Sequence, residues 1–199
     1  MPRINLLPQK VPRGIADPVG RAVARAGITP NMVSLFGFAG NGLAAWFITR
    51  EALLAAGVVY LAFSALDLVD GAVARATNQA TPYGAVLDAV LDRASEAVVL
   101  VACGWYFGER GENVQAALAY LAILGSVAVS YMRARAEITG LTMREGLFRR
   151  QERVALLGIG LLFNGLTVVI ALLAALSHLT ALQRFWLIAR GLRQLDAQG

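Results

Sequence analysis

Residues 66–92 read LDLVDGAVARATNQATPYGAVLDAVLD, placing Asp67, Asp70, Asp88 and Asp92 in a chain of 199 residues that is 57% hydrophobic and only 16% charged. Asp67 and Asp70 stand at i, i+3, and Asp88 and Asp92 at i, i+4, so each pair projects from one face of a helix. A short loop, 76–83, joins the two helices and makes them antiparallel neighbours, which lets four carboxylates face one another. Each ionised aspartate at that depth costs ~2.5–3.5 kcal/mol even on lenient insertion scales. Arg75 and Arg93 are nearby, but two guanidiniums at helix ends neutralise four carboxylates less compactly than divalent ions do. All-oxygen ligands without His or Cys suit Mg²⁺ or Mn²⁺, and four carboxylates have room for two ions.

Outward from this stretch, the mean hydropathy of +0.59 marks an integral membrane protein. Stretches long enough to cross ~30 Å of hydrocarbon fall near 31–49, 52–75, 84–107 and 114–137. The apolar region 153–192 is too long for one span; Asn164-Gly165 divides it better than Ser177-His178, because it leaves a full-length final helix. The expectation is an all-α bundle of six transmembrane helices over 30–193, the fifth starting near 146. Lys and Arg test it: with both termini cytoplasmic, 16 of the 18 fall inside and only Arg50 and Arg110 outside. That bias fixes the orientation expected in a cell (inner) membrane and, with a net charge of +5, favours anionic lipid headgroups over nucleic acid as partners.

Residues 1–29 form a cytoplasmic and interfacial segment, with five prolines in the first 30 residues and no apolar core of signal-peptide length. Asp17 as N-cap, Pro18 in the first turn and Gly27 as stop predict a short amphipathic helix lying on the membrane, Arg21 and Arg25 on its polar face. No linker or repeat divides the chain, so 1–199 reads as a single domain. Cys103 and His178 read as packing residues, as do Gly37, Gly40 and Ala44 on one face of the first helix.

Small residues beside the aspartates leave room for a large anionic ligand. Gly71 follows Asp70, Ala74 lies one turn on, Gly84 opens the third helix, and Arg75 offers a bidentate donor to a phosphate. Asp67-x-x-Asp70-Gly71-x-x-Ala74-Arg75, eight residues, then Gly84-x-x-x-Asp88-x-x-x-Asp92 resembles the complete signature of the CDP-alcohol phosphatidyltransferases. The resemblance implies that Asp67, Asp70 and Asp88 hold divalent metal ions with Asp92 near them, and that Asp92 is the base that deprotonates the acceptor alcohol. The alkoxide then attacks the β-phosphorus of a CDP-linked lipid such as CDP-diacylglycerol, and CMP leaves. It also implies that Gly71, Ala74, Arg75 and Gly84 line the nucleotide and diphosphate pocket, that Asn31 of the "TPN" entry to the first helix helps hold the nucleotide, and that the chain forms a homodimer.

The acceptor is read from arginines. "SYMRARAE" (130–137), "RRQER" (149–153) and "LQRFW" (182–186) bring Arg133, Arg153 and Arg184 to the inner ends of helices four, five and six. Three cations there suit an acceptor that itself carries a phosphate. This part resembles the prokaryotic phosphatidylinositol phosphate synthases, which implies inositol phosphate, although Arg149-Arg150 stands where those enzymes often carry a further Glu-Arg. The alternative acceptor is glycerol 3-phosphate. Arg144, Arg149, Arg190 and Arg193 read as topology markers. A cation or proton transporter is the rival class, but a pathway needs polar groups at several depths, whereas these ionisable residues form a one-sided bowl.

Overall fold

The computed structural model describes residue 25 and residues 27–66, 81–141 and 146–196; Asp67, Asp70, Gly71, Ala74, Arg75, Arg144 and the N-terminal helix expected from Asp17 lie outside them. Among the described residues every regular element is a helix: α1 (Pro30–Thr49), α2 (Leu53–Ser64), α3 (Pro82–Glu109), α4 (Asn113–Ile138), α5 (Arg150–Leu162) and α6 (Leu166–Asp196).

Local chemistry sets the boundaries. α1 and α3 begin alike, with a threonine N-cap and a proline in the first turn: the Thr29 hydroxyl accepts from the Met32 N–H at 3.3 Å and the Thr81 hydroxyl from the Gly84 N–H at 3.0 Å. α1 turns into α2 through Glu51, α3 into α4 through Gly111 and α5 into α6 through Asn164, each with positive φ (60°, 72° and 54°). The break predicted at Asn164-Gly165 is therefore present, and Ser177-His178 lies within α6. The fifth helix starts at Arg150 rather than near 146. Its N-cap is Arg149, whose N–H donates to Glu152 Oε2 at 2.9 Å, while the Leu147 N–H is drawn to Gln183 Oε1 of α6 at 3.0 Å, so 146–149 runs along α6 instead of joining α5.

Close packing joins the helices. A methyl group on Gly40 would overlap the Phe63 ring, and Ser64 Oγ donates to Asn41 Oδ1 at 3.3 Å, which seats α1 on α2 as an antiparallel hairpin. Gly158 receives Leu61 of α2 in the same way. Gly37, Gly40 and Ala44 are all buried on the inner face of α1. Ser34–Asp88, Asp92–Arg150 and Glu96–Arg153 show α1, α3 and α5 running parallel, with their N-termini at one end of the bundle.

The interior combines an apolar core with buried polar groups, and the outer surface is apolar. Ser34, Asn41, Glu96, Ser126, Glu152, Arg153, Ser177, Thr180 and Arg184 are buried, while Leu35, Phe36, Val58, Leu124, Val127, Phe163 and Leu182 face outward. Pro30–Thr49, Asn113–Ile138 and Leu166–Gln194 are each long and apolar enough to cross a membrane, and the described part of α2 is a shorter apolar helix. The chain is a membrane protein. At the end away from the aspartates Arg110 bonds Glu51 at 3.0 Å, and Arg50 and Arg110 lie over Trp46 and Tyr106, an arrangement suited to a headgroup boundary.

Candidate active site

The site is built on the first four turns of α3. Gly84, Asp88, Asp92 and Glu96 recur every fourth residue, so they form a row down one face, and the row becomes drier with depth. Asp88 and Asp92 are partly exposed; Glu96 is 6% exposed. Each carboxylate meets a different partner. Ser34 Oγ of α1 donates to Asp88 Oδ1 at 3.3 Å, Arg150 Nη2 of α5 lies 2.9 Å from Asp92 Oδ1, and Arg153 of α5 grips Glu96 at both oxygens, 2.5 Å from Nε and 2.9 Å from Nη2. Parallel packing of three helices thus carries the acids and their partners to the same end.

At the top of the row the N-termini of α1 and α3 adjoin. Asn31 Oδ1 stands 3.0 Å from where a side chain would begin on Gly84, so these two residues, predicted to contact one nucleotide, are brought together. Unpaired N–H groups and the positive ends of two helix dipoles collect here, a setting that favours an anion. Asp88 and Asp92 supply the hard oxygen donors that Mg²⁺ or Mn²⁺ prefers, at a partly open position. These two carboxylates are part of a donor set for such an ion; among the described residues no group of three or more acidic, His or Cys side chains gathers, and Asp67 and Asp70, expected to complete the set, fall outside them.

The three predicted acceptor arginines differ in state. Arg184 is buried at 6% exposure, its Nη1 donates to the Val129 carbonyl of α4 at 2.7 Å, and the Gly146 backbone lies against its guanidinium. Arg133, Arg153 and Arg149 are all close enough for their like charge to act on it. Arg133 is exposed and pairs with Glu137 one turn on, at 3.0 Å. Arg153, 3% exposed, also donates to Ser126 Oγ at 3.2 Å and to the Phe148 carbonyl at 3.4 Å. Ser126, Val129 and Arg133 follow one another at one-turn intervals on α4, so the guanidiniums of Arg153 and Arg184, bonded to the first two, come near the third, and cations gathered there attract an anionic group.

Sequence reasoning did not single out Ser34, Glu96 or Arg150; Arg149, read as a topology marker, is the N-cap of α5. Glu96 continues the i, i+4 spacing of Asp88 and Asp92, and Ser34 follows Asn31 by one turn, so a helical-face reading contains both. Arg93, considered as a counter-charge, instead donates to the Ala89 carbonyl on its own helix. Cys103 is fully buried, and His178 Nδ1 lies 2.9 Å from the Ala174 carbonyl within α6, in keeping with packing roles.

Known proteins resemble this chain in sequence and in fold. An archaetidylinositol phosphate synthase of Pyrococcus horikoshii is 36% identical over 170 residues, 84% of this chain and 87% of that protein. The crystal structure of Mycobacterium tuberculosis phosphatidylinositol phosphate synthase with CDP-DAG bound superposes with a TM-score of 0.81 at 30% identity, covering 88% of this chain and 94% of the other. The same enzyme in complex with manganese and citrate gives a TM-score of 0.78 at 30% identity, over 87% of this chain and 88% of that one. The sequence model of the CDP-alcohol phosphatidyltransferases matches residues 27–190, the span that holds every residue of the row, its partners and the arginine cluster, and the chain belongs to that family.

Proposed function

We propose that this protein makes a phosphoinositide lipid: it transfers the phosphatidyl group of CDP-diacylglycerol, or of a similar CDP-lipid, to inositol phosphate, giving phosphatidylinositol phosphate and CMP. The observation that carries the acceptor is the convergence on α4 of Arg153, which donates to Ser126 Oγ at 3.2 Å, and the buried Arg184, which donates to the Val129 carbonyl at 2.7 Å, one turn from Arg133 and beside the carboxylate row. A neutral alcohol gives such a cluster nothing to bind, whereas a phosphate monoester neutralises it. The inositol-phosphate chemistry in the names of the similar synthases supports the same choice.

In this reading Asp67, Asp70, Asp88 and Asp92 would hold two divalent ions, Mg²⁺ or Mn²⁺, whose charge would neutralise the diphosphate and polarise its phosphorus–oxygen bonds. The manganese complex of the similar synthase supports that assignment. Asn31, Gly71, Ala74, Arg75 and Gly84 hold the nucleotide and diphosphate. Arg133, Arg153 and Arg184 hold the acceptor's phosphate and direct its hydroxyl at Asp92, which takes the hydroxyl proton. The new P–O bond forms at the β-phosphorus as the anhydride bond breaks, and CMP departs with the bridging oxygen.

The setting belongs to the same proposal. The single domain of 1–199 crosses the inner membrane six times, with both termini and the site at the cytoplasmic surface, a juxtamembrane helix before residue 30, anionic lipid around the arginines, and a homodimer as the working unit. Polar groups gathered at one end of the bundle favour a bowl that joins a water-soluble to a lipid substrate over a transport pathway. The test is CMP release by the purified protein with CDP-diacylglycerol and Mg²⁺, offering inositol 1-phosphate, glycerol 3-phosphate, free inositol and serine separately. Release with inositol 1-phosphate alone is expected; release with glycerol 3-phosphate alone would transfer the assignment to a phosphatidylglycerophosphate synthase.

A further inference from the structure

Two rungs tie α3 to α5. Asp92 meets Arg150, and one turn deeper Glu96 meets Arg153, a step of four residues on α3 answered by three on α5. The rungs differ in burial: side-chain exposures are 24% and 28% in the upper pair but 6% and 3% in the lower. A solvated carboxylate can swing; one that is dry and bonded through both oxygens is fixed in place. Glu96 is therefore the rigid member of the row, although the reaction gives it no metal and no proton to handle.

We propose that Glu96 is a positioning residue of the acceptor site. It holds Arg153 in one orientation, and so decides which guanidinium hydrogens remain for substrate. The Arg153 Nε donates to Glu96 Oε1, Nη2 to Glu96 Oε2 and Ser126, and Nη1 to the Phe148 carbonyl. Of the five N–H groups on a guanidinium four are thus committed, and the fifth, on Nη1, is left with a preset direction. A phosphate reaching the arginine cluster meets one aimed donor from Arg153 rather than a mobile cation. The lower rung also fixes the rotation of α5 that carries Arg150 to Asp92. This inference rests on the reading of Arg153 as an acceptor-phosphate residue.

The test is steady-state CMP release by the full-length protein with CDP-diacylglycerol, Mg²⁺ and inositol 1-phosphate. Glu96→Gln is expected to raise the acceptor KM about tenfold or more, since misplacement by about 1 Å can cost about a hundredfold, while the KM for CDP-diacylglycerol stays within about twofold. Arg153→Lys is the reference. A raised acceptor KM in Arg153→Lys with a wild-type value in Glu96→Gln overturns the positioning role and leaves the acceptor reading standing. Wild-type values in both overturn the acceptor reading at Arg153, and the inference with it. Ser126→Ala removes one contact without exposing a buried charge, and keeps the question open to test if Glu96→Gln does not fold: a smaller rise in acceptor KM supports the role and an unchanged value counts against it.

Discussion

Arg150 Nη2 lies 2.9 Å from Asp92 Oδ1, so the carboxylate assigned as base is held by a cation from a helix that begins 58 residues later in the chain. Arg150→Gln keeps the length of the side chain and removes its charge. We expect turnover to fall about tenfold or more, because the base is then free to rotate away from the acceptor hydroxyl. Asp92→Asn should retain CDP-lipid binding and abolish turnover. CDP-lipid binding by calorimetry alongside CMP release checks both, and unchanged activity in Asp92→Asn would remove it as the base.

At the nucleotide end, Gly84 has Asn31 Oδ1 at 3.0 Å and Thr81 Oγ1 at 3.1 Å from the position of an added Cβ. Gly84→Leu fills the gap between α1 and α3 and threatens the Thr81 cap, which alone is worth ~1 kcal/mol. The expected kinetic signature is a raised KM for CDP-diacylglycerol with the acceptor KM little changed, the reverse of that for Glu96→Gln.

The Gly40–Phe63 contact predicts a pair of opposing substitutions. Gly40→Leu forces side-chain atoms into the Phe63 ring and should lower stability by about 1–3 kcal/mol, read as a lower Tm in detergent. Phe63→Ala placed in the same chain should restore part of that loss. No recovery would mean that the helices separate instead of repacking.

Asn164 sits at φ 54° between α5 and α6, a conformation that asparagine and glycine tolerate better than other residues. Asn164→Ala should cost about 1 kcal/mol and Asn164→Gly much less, compared by thermal unfolding of the two variants. By contrast, Glu51→Gln, which removes the exposed Arg110 pair, should change stability by less than about 1 kcal/mol.

What could be read from the sequence followed from periodicity and from strong terminators. Asn164-Gly165 announces a turn, and the apolar spans leave few other ways to divide the chain. Asp88 and Asp92 stood out because carboxylates are rare in such surroundings. Glu96 continues their i, i+4 spacing, but its role depends on Arg153, 57 residues away, and no local pattern encodes that meeting. The start of α5 was misplaced for a related reason. Arg149 is not a residue that signals an N-cap, and the segment before it is held by Gln183 of another helix.

The separation between Glu96 and Arg153 has a consequence for how the molecule is made. A ribosome adding about 5–20 residues per second delivers the intervening 57 residues in roughly 3–11 s. Throughout that interval the acid at the centre of α3 has a counter-ion that has not yet been synthesised. Until α5 arrives, burial of that acid has no cation to offset it. Final seating of α3 is therefore a late step of biogenesis, and chains truncated before Arg150 are expected to leave α3 open to modification by water-borne reagents that full-length chains exclude.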